Sequence, residues 1–219
     1  MAIAINGING GISGKVGNVV FYQRNGVGYV RTKAVRRKKE KASKALAFTR
    51  NKFKMMQQYI IRMLPVVRIG FQFGPGKGSA YNRALSYNLK HAVKQENESL
   101  AIDWPKLSFS QDLPNPVINA SFMLNIQKKK LDIHWQLDPA LAAKYSSMHM
   151  HACVMLVPVD LSSHNMQGIL CGNTMNTQTQ QVKLLTYAHK ITHHAYLSFF
   201  SIDVPSRSTD SKYIGELVI

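Results

Sequence analysis

Eight cations, Arg31, Lys33, Arg36, Arg37, Lys38, Lys39, Lys41 and Lys44, fall within fourteen residues, and only Glu40 opposes them. Lysines and arginines that neutralise phosphates release condensed counterions, a large and salt-dependent source of affinity. A run this dense is chemistry for holding a polyanion. Arg50, Lys52 and Lys54 continue it, so the eleven residues together are the expected polyanion-binding set. The competing reading is a solvated connector that keeps the chain in solution, although an excess this large exceeds what solubility needs. Tyr22, Tyr29 and Phe48 are near enough to stack on bases, with core packing the expected role for each.

Other constellations are weaker. His149, His151 and Cys153 alternate and would share one face of a strand. With Cys171, His164 or the pair His193–His194 they could make up a four-ligand zinc site. The HxHxC spacing lacks a CxxC knuckle, and the flanking MHMHACVML is as apolar as a core strand, so these are read as core or surface histidines and no metal is expected. FGPGKGS (Phe73 to Ser79) invites comparison with a Walker A loop, which needs G-x-x-x-x-G-K-[ST]. Here Phe71 occupies the first glycine position and Gly78 follows Lys77. SGKVG fails likewise, with Asn9 in the first position and Val16 after Lys15, and Ile12 spoils a G-x-G-x-x-G. The acids Asp103, Asp112, Asp138, Asp160 and Asp210 stand singly at turns, and no G-x-S-x-G anchors a nucleophile. No catalytic residue and no cofactor are expected.

The charge is lopsided along the chain. Residues 1–94 hold nineteen Lys/Arg and one acid, a net of +18, while residues 95–219 hold nine against ten, a net of −1. An excess confined to one part implies an electropositive face whose field attracts polyanions: nucleic acid, an anionic surface, an acidic polysaccharide or an acidic protein. Two cysteines in 219 residues argue against a disulfide scaffold. MAIAINGINGG has no basic segment followed by an apolar core, so no secretory signal is expected, and no run reaches the roughly 18 apolar residues of a membrane span. The expected location is the cytoplasm, or a particle or appendage assembled there.

The elements that position these residues follow from local pattern. Four glycines and two asparagines in NGINGGISG (Asn6 to Gly14) predict a turn-rich lead-in. Lys15–Gln23 reads as a strand, Asn25-Gly26 as a type I′ turn, and Val27–Lys33 as the returning strand. Gly17 and Gly28, inside those strands, would mark a close approach of another segment. From about Ala42, Leu46, Phe53, Met56, Ile60, Met63 or Leu64 and Val67 recur at helical steps, and Lys44, Arg50, Lys52, Lys54 and Arg62 fall mostly off that stripe. Pro65 should kink or end the helix. A second helix is expected after Ser79, a good N-cap, with Tyr81, Leu85, Leu89 and Ala92 inward. QENES (Gln95 to Ser99) reads as an exposed boundary. Beyond it, Lys106–Ser110, Val117–Ile126, Leu131–Leu137, Met148–Val159, Gln181–Thr186, Ala195–Ile202 and Tyr213–Ile219 read as strands separated by turn signals.

NGINGGISGKVGNVVFYQRNGVGYVR, followed by a basic helix, SYNLKHAV and a terminal YIGELVI, resembles a family of unknown function in Bacteroidota. The resemblance implies an N-terminal GKxGNVV hairpin and a β-rich C-terminal half, and carries no activity. The expectation is thus an α+β protein. Residues 1–97 form a basic hairpin plus two helices, and residues 98–219 form an antiparallel β-sandwich of immunoglobulin- or fibronectin-like outline. Such a chain is expected to be non-enzymatic and to bind a polyanion, DNA or RNA first, or an acidic protein surface. The alternative is a self-assembling subunit of a filament, phage-like particle or surface appendage, whose hairpin adds strands to a neighbouring copy.

Overall fold

A computed structural model describes residues 2–4, 11–24, 26–35, 43–74, 78–96, 99–161, 165–185, 190–203 and 206–219. The chain divides into two compact units, Met1–Ser43 and Lys44–Ile219. The division expected at residue 97 therefore falls inside the second unit.

The first unit is an antiparallel meander of β1 (Ala2–Ala4), β2 (Ile12–Val16), β3 (Val19–Arg24) and β4 (Val27–Thr32), in that order across the sheet. The single strand expected over Lys15–Gln23 is two strands. Gly17 has φ +54°, a left-handed conformation that favours glycine, and it turns the chain back at Gly17-Asn18. Nothing lies within 4 Å of a Cβ built at Gly17 or at Gly28, so neither marks a close approach. The second turn is where Asn25-Gly26 predicted it, with Gly26 at φ +76°. Part of the glycine-rich lead-in, Ile12 to Gly14, is strand rather than turn.

The chain is α+β and rich in antiparallel sheet, as the sequence predicted, and its helices lie in the second unit. Helix α1 (Lys44–Arg62) is followed by α2 (Leu64–Gly70), and Pro65 sits in the first turn of α2, where its missing N–H costs nothing. Helix α3 (Ala80–His91) starts on the predicted cap, with the Asn82 N–H donating to Ser79 Oγ at 3.3 Å. The expected boundary at QENES joins β5 (Val93–Glu96) to β6 (Ser99–Ile102), which pair antiparallel. Lys106–Ser110 is not a strand. A 3₁₀ turn at Trp104–Lys106 leads into an extended run whose backbone groups are met individually rather than by a ladder.

Two larger sheets follow. The strands β7 (Val117–Asn125), β8 (Lys130–Leu137), β9 (Met150–Pro158), β10 (Gln167–Ile169), β11 (Thr179–Lys183), β12 (Thr192–Ser201) and β13 (Lys212–Val218) pair in the orders β10-β9-β12-β13 and β11-β8-β7. A short helix, α4 (Pro139–Lys144), capped by Asp138, links β8 to β9. Side-chain alternation sends successive residues of β9 and β12 into different cores. Cys153, Met155, Val157, Tyr196 and Phe200 pack with Met56, Ile60, Met63, Val67, Phe71 and Leu85 of the helical layer. Ala152, Val154, Leu156, Ala195, Leu197 and Phe199 pack with Leu131, Ile133, Trp135 and Val182 of the second sheet. The central sheet is thus covered on both faces, which explains why β9 and β12 read as continuous apolar runs. An immunoglobulin-like sheet would expose its outer face to water; here helices lie on it. Among the described residues, no helix is long and apolar enough to cross a membrane.

Candidate polyanion interface

In an antiparallel pair, residues directly opposite one another project from the same side of the sheet. The register Tyr22↔Tyr29, Val20↔Arg31, Arg24↔Val27 and Lys15↔Val20 therefore puts Lys15, Tyr22, Arg24, Tyr29 and Arg31 on one face of the first unit. The other face carries Ile12, Val16, Val19, Phe21 and Val30. One face thus carries the cations and the tyrosine pair, together with Val20 and Val27, and the other is largely apolar.

Tyr22 and Tyr29 are not core residues. They are 40% and 43% exposed, with ring centroids 5.4 Å apart and planes inclined by 17°. The Arg31 guanidinium lies over the Tyr22 ring, 5.8 Å from its centroid, within the range of a cation–π contact. The aliphatic face is also open: Val16 is 57% and Val30 64% exposed. Phe48, the third aromatic considered for stacking, is half-buried on α1.

The described members of the eleven expected residues are divided between the two units. Arg31 and Lys33 belong to the first unit; Lys44, Arg50, Lys52 and Lys54 belong to α1 in the second. Arg36, Arg37, Lys38, Lys39 and Lys41 lie outside the described residues. On α1, Arg50 and Lys54 are one turn apart and exposed, pointing away from the buried stripe. Lys52 departs from expectation: it is half-buried on the stripe itself, one turn before Met56. Leu46 and Phe53, expected inward, are 44% and 45% exposed. The cause is length. Helix α1 runs about 28 Å and α3 about 18 Å at 1.5 Å per residue, and residues 44–54 contribute no buried side chain.

Acids are scarce around these cations. No acid occurs between Lys41 and Lys94, and among the described residues none of Lys15, Arg24, Arg31, Lys33, Lys44, Arg50, Lys52 and Lys54 forms an ion pair. Acids of the second unit are engaged near their own strands. Asp112 takes the Arg207 guanidinium at 2.7 Å, Asp103 takes Lys106 at 2.9 Å, and Asp203 takes His149 at 2.8 Å.

Lys15 and Arg24 are the functional candidates that sequence reasoning missed, because they lie outside the dense run. The signal that could have found them is Gly17-Asn18: read as a turn, it puts Lys15, Val20 and Arg31 in register.

The structure separates the metal candidates. His149 precedes β9 and its Nδ1 faces Asp203; His151 Nδ1 lies 2.8 Å from the Gly172 carbonyl. Cys153 is buried in the helical core, where desolvation pushes its thiol well above the ordinary range, and Cys171 is exposed. His193 and His194 are consecutive on β12 and so face opposite ways, and His164 lies outside the described residues. Among the described residues, no three His, Cys, Asp or Glu side chains gather as a metal site would require.

One cavity of about 490 Å³ in the second unit is lined by Trp104, Asp160, Lys190, His194 and Glu216. The His194 ring stacks on Trp104, with centroids 4.1 Å apart and planes inclined by 15°, and its Nδ1 meets the Tyr213 hydroxyl at 3.0 Å. Burial pushes the His194 pKa down, so near neutral pH the ring is uncharged. Among the described residues, no Ser, Thr or Cys side chain hydrogen-bonds to it.

No curated protein matches the chain. A family model does, over residues 11–215, and the chain accordingly belongs to DUF6266, a family of unknown function.

Proposed function

We propose that this is a non-enzymatic polyanion-binding protein, with nucleic acid as the partner. The observation that carries the reading is that Lys15, Arg24 and Arg31 share one open sheet face with an exposed tyrosine pair and, among the described residues, form no ion pair. The cation run that follows, Arg36 to Lys41, and the exposed Arg50 and Lys54 of α1 extend the same positive segment along the chain. In this reading the second unit is a scaffold, its two larger sheets being the leaves of a sandwich.

The test is binding of the full chain to nucleic acid and to heparin as salt is raised from about 50 to about 200 mM. With six or more phosphates neutralised, affinity should fall by about a thousandfold. Reversing Lys15, Arg24 and Arg31 to Glu together should lower the slope with salt. Binding that ignores salt, or no binding to any of these polyanions, overturns the reading.

A second reading, self-assembly, is favoured by a different observation. Strand β4 forms one edge of its sheet with all six residues exposed, and the aliphatic face beside it is uncovered. Such an edge is a template for strand addition. It predicts concentration-dependent oligomers that vanish when residues 1–35 are deleted, and a strictly monomeric full chain rejects it.

A further inference from the structure

We infer that Tyr22 and Tyr29 form a base-stacking platform, so that the nucleic acid this face takes is single-stranded; this rests on the polyanion reading above. A duplex turns its bases inward and offers a binding sheet mainly phosphates, whereas an unpaired strand also offers aromatic faces. The cationic face of the first unit has groups for both.

The rings of Tyr22 and Tyr29 are nearly parallel across the β3–β4 pair, and the Arg31 guanidinium lies over the Tyr22 ring. Tyr22 is 40% and Tyr29 43% exposed, so a base can stack on the pair beside a cation. Cations flank the pair on three neighbouring strands: Lys15 on β2, Arg24 on β3 and Arg31 on β4. Same-face residues recur every second position, about 7 Å along a strand, an interval that suits successive units of an extended polynucleotide.

The tyrosines are also where packing does not need them. Ile12, Val16, Val19, Phe21 and Val30, the apolar side chains that could seat this sheet against another surface, cluster on the opposite face, while Val20 and Val27 share the tyrosine face. The sheet can dock through one face and leave the tyrosine face open. No acid in residues 1–39 would repel a phosphate there.

The experiment uses the full chain, fluorescence anisotropy, and four probes of matched length: oligo(dT), oligo(U), a blunt DNA duplex and heparin. The Tyr22→Leu/Tyr29→Leu double variant should lose about tenfold or more in affinity for the single strands. Its duplex and heparin binding should be unchanged. The Tyr22→Phe/Tyr29→Phe variant, which keeps both rings, should bind single strands like the wild type, and so separates loss of stacking from loss of fold. A preference for oligo(dT) or for oligo(U) identifies DNA or RNA as the source, and either supports the platform. Equal losses on all four probes, or no loss on any, overturn the platform while leaving the polyanion reading standing. Failure of the wild type to bind any probe overturns both.

Discussion

The Asn88 carboxamide holds Ser108 by both backbone groups: its Oδ1 accepts from the Ser108 N–H at 2.8 Å, and its Nδ2 donates to the Ser108 carbonyl at 2.7 Å. The same Nδ2 donates to the Ala84 carbonyl at 2.9 Å, and the side chain is completely buried. Asn88 thus does for one extended segment what a neighbouring strand would otherwise do. Removing it strands a buried donor and acceptor, at about 1–3 kcal/mol for such groups. Asn88→Ala should destabilise the second unit by about 2–3 kcal/mol. Urea unfolding at neutral pH would measure it, and an unchanged midpoint would show that water replaces the amide.

Gly70 ends α2 where the helix touches the same segment. A Cβ there would lie 2.4 Å from the Phe109 carbonyl oxygen and 2.6 Å from Ser110 Cβ. The Gly70 carbonyl also accepts from the Gln111 N–H at 2.8 Å and from Ser208 Oγ at 3.1 Å. Gly70→Ala must push backbone from backbone, at a cost of about 2 kcal/mol or more, with a fall in Tm as the readout. A neutral or stabilising Gly70→Ala would show that the contact relaxes freely.

Asp203 sets an acid limit on one corner of the fold. Hydrogen bonds from the His149 side chain, the His149 N–H and Ser201 Oγ hold its carboxylate down, from 3.8 to about 2. A carboxylate depressed in the folded state stabilises it above the unfolded value and loses that contribution as pH falls from about 3.8 towards about 2. The stability difference between the wild type and Asp203→Asn should therefore be full at about pH 5 and close across that window. A difference that does not vary with pH would mean the carboxylate is not held this way.

The two thiols should react in strict order. Cys171 is exposed, whereas Cys153 lies in the helical core with its thiol pushed up by burial, and the thiolate is the reactive form. A maleimide pulse on the native protein should modify Cys171 alone, with Cys153 labelled only in denaturant. Peptide mass spectrometry after the pulse reports both sites, and native labelling of Cys153 would show that the helical layer opens.

Much of the fold was legible because the signals were local. Ser79 announced the start of α3 and Pro65 the break after α1, while β7, β8, β9, β12 and β13 followed from alternation or from apolar runs. What escaped depended on partners distant in sequence. Lys106–Ser110 has the composition of a strand, but its hydrogen-bonding groups meet Asn88 and Ser211 rather than a ladder. The buried role of Asn88 has no local signal, because its partner is twenty positions away. Leu46 and Phe53 fit a buried stripe by spacing, yet spacing does not reveal how far the neighbouring helix extends. In the candidate site, the density of cations was plain and their faces were not, because a single turn at Gly17-Asn18 decides which of them share a side.

The ladder between β9 and β12 joins His193 to Pro158 at one end and Ser201 to Met150 at the other, partners 35 and 51 positions apart. Both cores rest on this ladder, so neither the helices nor the outer sheet can bury an apolar face until so long a loop has closed. Closure of that kind carries an entropic barrier that local contacts do not repay in advance. The helices should therefore gain lasting protection from solvent only after the distant strands have met, and the slow event in folding of the second unit is that meeting.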